Sequence, residues 1–259
     1  MPRFAANLSM MFTELPFLDR FDAAAKAGFR AVEFLFPYDF PAAEIAARLK
    51  GAGLQQVLFN APPGDWTKGE RGQAALPGRK EEFREGFRRA LDYAAALACP
   101  RIHVMSGLMP TGVPHDTMTA VLAENLAWAA DLASPAGVKP VIEPINHRDI
   151  PGFFLNTTDQ AAAIINAVGA ERVGMQFDLY HCQITEGDIV KRVERHLPLI
   201  AHMQVADNPG RNEPGTGEVN WPFVFRKIDE MGFRGWIGCE YRPAGETVAG
   251  LGWFAPYKG

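Results

Sequence analysis

The stretch "KPVIEPIN" (residues 139–146) decides the fold. It begins as an apolar β-strand through Val141 and Ile142, and it then places Glu143 directly before a proline. A carboxylate at the end of an apolar strand is either exposed to solvent by chance or directed at a ligand. The strands that precede and follow this one decide between the two.

Short strands of this kind alternate with amphipathic helical stretches along the whole chain. The predicted strands are residues 3–9, 30–36, 54–60, 101–106, 139–145, 172–178, 199–205 and 235–241. The predicted helices are residues 17–28, 40–53, 81–97, 116–133, 157–168, 187–196 and 221–232.

This alternation predicts a parallel sheet, and eight strands in 259 residues favour closure into a barrel. We expect one α/β domain over residues 1–259, a single (β/α)8 TIM barrel, because such barrels commonly take about 250 residues. The alternative is an open doubly wound sheet. That fold carries a glycine-rich turn after its first strand when it binds dinucleotides, and "ANLSMMFTELP" (residues 6–16) has none.

Composition excludes several classes of protein. The formal net charge is −4 with no block of like charges, which argues against binding to nucleic acid or to an anionic membrane. The three cysteines are widely spaced and lack a CxxC pair, so we expect reduced packing residues in a cytoplasmic protein. The N-terminus lacks a signal-peptide pattern, and no run reaches the roughly 18 apolar residues of a membrane span.

Four oxygen-bearing side chains end the last four predicted strands. They are Glu143, Asp178, Gln204 and Glu240, each separated from the next by about one strand–helix unit. Side chains two positions apart share one strand face, and this alternation directs the four towards the barrel interior near its mouth. Active sites of TIM barrels lie at these carboxyl ends.

Converging carboxylates repel one another unless a cation compensates them. The oxygen-rich set therefore favours a divalent metal, Mg²⁺ or Mn²⁺, over zinc. The alternative is that each side chain is a polar strand end that faces solvent.

Several motifs make a family resemblance specific. They are "EPIN" (143–146), "FDLYH" (177–181), "HMQVAD" (202–207), "PGTGEVNW" (214–221) and "GCEYRP" (238–243). The chain resembles the xylose-isomerase-like sugar isomerase/epimerase barrels over essentially its whole length, and among them the hydroxypyruvate isomerases. The segment "NAPPGDWTKGERG" (60–72) is similar to that subgroup in particular.

The resemblance implies a metal site made of Glu143, Asp178, Gln204 and Glu240, with Glu143 and Glu240 also acting as acid and base. It implies that His181 contacts the substrate. The reaction it implies interconverts hydroxypyruvate and 2-hydroxy-3-oxopropanoate through an ene-diolate. The related ketose epimerases have histidine where this chain has Gln204, and an amide is the weaker metal donor, so dependence on the metal is left open.

The implied substrate is a small anionic hydroxy-keto acid, so a cation must hold its carboxylate. We expect Arg71 in the loop after the third strand to do this, with Arg148 or Arg211 as alternatives. Trp66 of the same loop either walls the substrate site or holds the loop against the barrel. Arg71 as a solvated loop charge is the competing interpretation, and assembly into a homo-oligomer is left open.

Three other functions compete with this one. An isomerase or epimerase of a longer 2-oxo sugar acid or ketose, such as 2-oxo-tetronate, would use the same chemistry in a larger pocket. A DNA-repair endonuclease shares the barrel but needs a richer histidine cluster and a basic face. A non-catalytic sugar-acid-binding barrel would not need two glutamates at one site.

Overall fold

Eight parallel strands close into a barrel in the computed structural model, which describes residues 1–258. The strands follow one another around the barrel in chain order, and β1 pairs with both β2 and β8. Their bounds are β1 Arg3–Asn7, β2 Ala31–Glu33, β3 Gln55–Asn60, β4 Arg101–His103, β5 Lys139–Ile142, β6 Gly174–Asp178, β7 Ile200–Gln204 and β8 Trp236–Cys239. The predicted α/β barrel is confirmed, and each strand lies inside its predicted stretch.

Every predicted helical stretch contains a helix. The helices are α1 Arg20–Ala27, α2 Ala42–Ala52, α3 Lys80–Leu97, α4 His115–Ala133, α5 Thr158–Val168, α6 Leu179–Thr185, α7 Ile189–His196 and α8 Trp221–Glu230. Helix α6 was not predicted; it starts because the side chain of Asp178 accepts a hydrogen bond from the backbone N–H of Tyr180 at 2.8 Å. Within residues 1–258, no helix is both long and apolar enough to cross a bilayer.

The apolar core lies between the barrel and its ring of helices. Phe21 of α1, Ile45 of α2 and Phe87 of α3 are fully buried in one cluster with Ile102 of β4 and Ile142 of β5. These helices are amphipathic, so each buries one apolar stripe on the outer face of the strands. The same packing holds the carboxyl ends of the strands at one mouth of the barrel.

The barrel interior is polar at the level below that mouth. Glu33, at the end of β2, is fully buried and accepts hydrogen bonds from Asn7 at 2.9 Å and Gln204 at 2.8 Å. The Nε2 atom of His202 lies 2.6 Å from the second carboxylate oxygen. One carboxylate therefore connects β1, β2 and β7, which satisfies the rule that a buried charge needs partners.

Gly238 of β8 provides the space that this carboxylate occupies. A Cβ atom at position 238 would lie 2.1 Å from Oε2 of Glu33, far inside van der Waals contact. The glycine is thus required by close approach, since its φ angle is an ordinary one.

We expect Gly238→Ala to lower the free energy of unfolding by about 1–3 kcal/mol, because the added methyl group overpacks the interior. Gly51→Ala, in α2, is the matched control: nothing lies within 4 Å of its added Cβ, and alanine should stabilise the helix by about 0.5–1 kcal/mol. Urea denaturation measures both changes. Equal stability of the two variants would contradict the close packing of Glu33 against Gly238.

Candidate active site

Three carboxylates meet at the carboxyl-end mouth of the barrel. Glu143 directly follows β5, Asp178 ends β6 and Glu240 directly follows β8. One oxygen atom from each, with one ring nitrogen of His181 from α6, lie within 4.8 Å of one another, and all four residues are buried. The register of the neighbouring strands places these side chains at a similar height in the barrel. Asp178 of β6 pairs with Gln204 of β7, and Gln204 pairs in turn with Gly238 of β8.

The carboxylates perturb one another strongly. Burial raises the pKa of Glu143 well above its usual range, and the charges of Glu240 and Asp178 raise it further. Burial raises the pKa of Glu240 to about 8, although Arg211 opposes the rise. Burial likewise raises the pKa of Asp178 to about 6 against the opposing effects of Arg211 and two backbone N–H groups. The three groups therefore resist simultaneous ionisation at neutral pH unless a further cation joins them.

Arg211 already places one cation beside this cluster. Its Nη2 atom lies 2.6 Å from Oε2 of Glu240, and its Nη1 atom lies 2.7 Å from Oδ2 of Asp149. The same guanidinium lies 4.0 Å from Asp178 and 5.0 Å from the ring centroid of Tyr180. Burial alone would lower the pKa of Arg211. The negative charges of the surrounding carboxylates outweigh this effect and raise the pKa, with Glu240 contributing most and Asp178 next. The cation is fixed in position by these contacts.

His181 is a neutral ring that faces the carboxylates. Its Nε2 atom lies 3.6 Å from Asp178 and 3.8 Å from Glu143. Its Nδ1 atom lies 2.5 Å from Nδ2 of Asn146 and accepts at 3.5 Å from the backbone N–H of the same residue. Burial and the nearby Arg211 charge lower the pKa of His181 well below its usual range. The proton of the neutral ring then lies on Nε2, directed at the carboxylates.

His103, which ends β4, lies next to the same group. Its Nε2 atom is 3.6 Å from Oε2 of Glu143, and neither ring nitrogen has a hydrogen-bond partner within residues 1–258. Burial lowers the pKa of His103 to about 3, with a further contribution from His202. A neutral, unpartnered imidazole at this place is available to a ligand of the site.

Gln204 lies at the same height in the barrel as Asp178, but its side-chain amide forms hydrogen bonds with buried residues below the carboxylates. Its Nε2 atom donates to Glu33 at 2.8 Å, and its Oε1 atom accepts from Gln176 at 2.5 Å. Binding a metal would require the amide oxygen to leave Gln176. The place of Gln204 in the metal site stays a prediction.

A cavity of about 500 Å³ opens above the cluster. The sequence-predicted residues that line it are Trp66, Arg71, Glu143, Arg148, His181, Arg211 and Glu240. A larger cavity of about 670 Å³ lies at the opposite end of the barrel and has no acidic residue in its lining. Of these two cavities, the smaller one is therefore the candidate for acid–base chemistry, since carboxylates line it.

The loop after β3 covers one side of this cavity. Arg71 donates to the carbonyl oxygens of Trp66 and Glu70, and its guanidinium lies 3.8 Å from the Trp66 ring centroid. The other charges of the loop form ion pairs, Lys68 with Asp65 and Glu70 with Arg79. Arg71 is thus a cation at the cavity wall, held by neutral partners.

Comparison with known proteins places the chain in a family of barrels. A family model described as a xylose isomerase-like TIM barrel matches residues 21–257. The chain belongs to the xylose isomerase-like TIM barrel family. The expected resemblance is confirmed.

Relatives in this family span the whole chain. A 2-oxo-tetronate isomerase from Cupriavidus necator is 56% identical over 100% of both chains, and a hydroxypyruvate isomerase from Escherichia coli is 46% identical over 100% of both. A crystal structure of "AP endonuclease, family 2" from Brucella melitensis is 49% identical, covers 100% of both chains and superposes with a TM-score of 0.98.

The mouth of this family barrel fits a divalent metal ion. Glu143, Asp178 and Glu240 supply oxygen donors, and Nε2 of His181 would supply a nitrogen donor once an ion displaces its proton. One oxygen each of Glu143 and Asp178 is buried without a hydrogen-bond partner within residues 1–258. Unsatisfied carboxylate oxygens next to one another suit a hard cation such as Mg²⁺ or Mn²⁺.

Four further polar residues at strand ends were not predicted as site residues: two of them line the cavity, and the other two are fully buried beneath it. They end the first four strands, as Asn7, Glu33, Asn60 and His103, in the same way that the predicted ones end the last four. The strand-end rule applied to all eight strands would have found them. Asp149, which holds Arg211, lies in a loop and had no such signal.

We expect Mg²⁺ or Mn²⁺ to raise the melting temperature of chelator-treated protein, because an ion that binds only the folded state adds about 2.7 kcal/mol at 100 times its Kd. Asp178→Asn should abolish the rise while keeping an acceptor for the N–H of Tyr180. The rise should be larger at pH 8 than at pH 6, since the ion binds ionised carboxylates. Differential scanning calorimetry measures it.

The control for this experiment is Glu44→Gln on the exposed face of α2, which changes the charge equally and should keep the full rise. Potassium chloride at matched ionic strength controls for screening. An equal rise in wild type and Asp178→Asn would place the ion elsewhere.

Proposed function

We propose that the protein is an isomerase of short 2-oxo acids that carry a hydroxyl group next to the keto group. Hydroxypyruvate and 2-oxo-tetronate are its two candidate substrates. The observation that carries this proposal is the pair Glu143 and Glu240, buried within 4.8 Å of each other beneath a cavity of about 500 Å³. The relatives named isomerases over the full length support it.

The pair suits a proton transfer between adjacent carbons. One carboxylate removes the proton from the carbon that bears the hydroxyl, and the electron pair moves to the keto oxygen, which forms an ene-diolate. The other carboxyl group returns a proton to the former keto carbon. The proton of the hydroxyl group passes to the former keto oxygen, so that the hydroxyl oxygen becomes the new carbonyl and the keto oxygen the new hydroxyl group. Arg211 beside Glu240 favours the ionised form there, so we assign Glu240 as base and Glu143 as acid.

A bound divalent ion would supply positive charge to the two oxygens of the ene-diolate and favour ionisation of the carboxyl groups around it. Glu143, Asp178, Glu240 and His181 are the residues that would hold it, with Gln204 as the further predicted ligand. The neutral rings of His181 and His103 can each direct a polar nitrogen at substrate oxygens.

The carboxylate of the substrate needs a cation that the protein does not already neutralise. Arg211 is held by Glu240 and Asp149, whereas Arg71 meets only carbonyl oxygens and the ring of Trp66. We therefore keep Arg71 as the carboxylate clamp, with Arg148 in the same cavity wall as its neighbour. Arg211 then contacts the substrate from the side of Glu240.

Chain length separates the two candidate substrates. 2-Oxo-tetronate differs from hydroxypyruvate by one hydroxymethyl group on the reacting carbon, so the chemistry is unchanged. A cavity of about 500 Å³ has room for either acid. The 56% identical relative is a 2-oxo-tetronate isomerase, which favours the four-carbon acid as the better substrate.

An endonuclease is disfavoured for this chain. The metal-binding group has one histidine, the cavity wall is closed by the loop after β3, and the net charge is −4. DNA binding would call for a basic face around the metal site. A purely sugar-acid-binding barrel would leave the raised pKa of two facing glutamates without a role.

The proposed protein is a cytoplasmic, single-domain enzyme. Free, buried cysteines support a reducing, cytoplasmic location. Closure of β1 onto β8 supports one domain over residues 1–259.

Glu143→Gln and Glu240→Gln should each lower kcat at least about 10²-fold, the lower range for removing a general acid or base. Both variants should melt no lower than wild type without metal, because the amide removes a buried, repelled carboxylate. Product formation from hydroxypyruvate and from 2-oxo-tetronate, with and without chelator, is measured by NMR. Turnover near wild type in either variant removes that glutamate from the mechanism, and no product from either acid refutes the proposed function.

Arg71→Ala should lower kcat/KM for hydroxypyruvate by roughly 2 kcal/mol, about 30-fold, because one side of an ion pair with the substrate is lost. It should affect the conversion of dihydroxyacetone, an uncharged three-carbon hydroxy ketone of similar size, far less. Trp66→Ala should impair both substrates alike, since it removes part of the cavity wall and leaves the charge of Arg71 in place. Lys68→Ala, in the same loop, is the charge-matched control. Equal losses for both substrates in Arg71→Ala would make Arg71 structural and point to Arg148 or Arg211.

A further inference from the structure

The second cavity, at the amino ends of the strands, is basic. We call it the basic mouth; it has a volume of about 670 Å³. Its charged lining residues are Arg3, Arg101, Lys139 and Arg234. Arg3, Arg101 and Lys139 open β1, β4 and β5, and Arg101 is the register partner of Lys139. The barrel itself therefore fixes the positions of three of the four cations.

Three of these cations lack an acidic partner. Within residues 1–258, no carboxylate oxygen lies within 4.0 Å of a side-chain nitrogen of Arg3, Arg101 or Lys139. Arg234 differs, because it lies 3.4 Å from Asp229. In a protein with a net charge of −4, unpaired cations gathered at one cavity are unexpected.

Neutral groups hold the three cations in place. Arg3 donates to the carbonyl oxygen of Arg234, and its guanidinium lies 4.7 Å from the ring centroid of Trp236. Arg101 donates to the carbonyl oxygen of Val57 at 3.4 Å, and Lys139 to that of Ala170 at 3.2 Å. Each cation keeps further N–H donors that these bonds do not use.

The cations also repel one another. Burial lowers the pKa of Arg101, and the charge of Arg3 lowers it further, although the nearby Cys99 opposes the shift. Burial lowers the pKa of Lys139 as well, with Glu171 opposing and Arg101 adding to the shift. An anion that entered the mouth would relieve this repulsion.

We propose that the basic mouth binds a small oxyanion with two or more negative charges, through Arg3, Arg101 and Lys139. The ligand class is a phosphate ester or a polycarboxylate, since guanidinium groups hold both by paired hydrogen bonds. The site is separate from the proposed active site and stands without it. It lies at the amino end of the barrel and is lined by the first residues of several strands, so it suits a small molecule, whereas nucleic acid needs a basic surface along its backbone.

The apolar part of the lining adds a second feature. Leu197, Ile200, Phe233 and Trp236 line the same cavity. A metabolite with a short carbon skeleton and terminal anionic groups matches this combination better than a bare inorganic ion. The skeleton would contact the apolar residues while its anionic groups meet the cations.

Isothermal titration calorimetry with pyrophosphate, in 150 mM chloride (on the order of physiological ionic strength), tests the proposal on the full chain. We expect one site per chain in wild type. Arg101→Gln and Lys139→Met should each weaken binding at least about tenfold, because each removes one charged donor. Arg48→Gln on α2 is the charge-matched control and should bind as wild type. Glycerol 3-phosphate and citrate then distinguish phosphate esters from polycarboxylates.

The variants should leave kcat and KM unchanged, since the mouth lies at the other end of the barrel. Arg3→Met keeps the test open if Arg101→Gln fails to fold, because Arg3 is exposed at the rim. Absence of binding, equal affinity in all variants, or competition between pyrophosphate and the isomerase substrate would each overturn the proposal.

Discussion

Repulsion among three buried carboxylates is the constraint on which the rest of the site depends. Glu143, Asp178 and Glu240 are brought together by strand geometry, and burial makes their charges costly. Each surrounding feature compensates that cost in its own way. Arg211 supplies a fixed cation, and the neutral His181 directs its Nε2–H at the carboxylates. The carboxylate oxygens without a hydrogen-bond partner can bind a metal ion.

Two arginines at the same cavity differ in their partners, and the function we propose gives them different roles. Arg211 lies among carboxylates and is committed to them, whereas Arg71 stacks on Trp66 and bonds only to carbonyl oxygens. A committed cation tunes the acid–base groups, and an uncommitted one can recognise an anion. In the proposed function, this separation would let one site stabilise its own negative charge and still attract a negatively charged substrate.

The barrel and most of the site could be predicted from the sequence, because a strand end recurs once in every strand–helix unit and the site residues lie at these ends. The rule that located Glu143 and Asp178 holds for every strand, so His103 needed only a wider application of it. Helix α6 escaped prediction because its start depends on a side-chain cap, and seven residues carry little periodicity. The bonds of Gln204 to Glu33 and Gln176 cross the barrel, and such contacts between distant strands leave no local pattern.

The close approach of Glu33 to Gly238 has a consequence for how the family can diversify. The two positions share one volume inside the barrel: the side chain that crosses from β2 fills the place that a side chain on β8 would need. A larger residue at 238 can enter only where a shorter one stands at 33, and a shorter residue at 33 leaves His202 and Gln204 without their acceptor. Substitutions at the positions beneath the carboxylates are therefore coupled to one another, whereas the loops above them can vary independently and so alter which substrate binds.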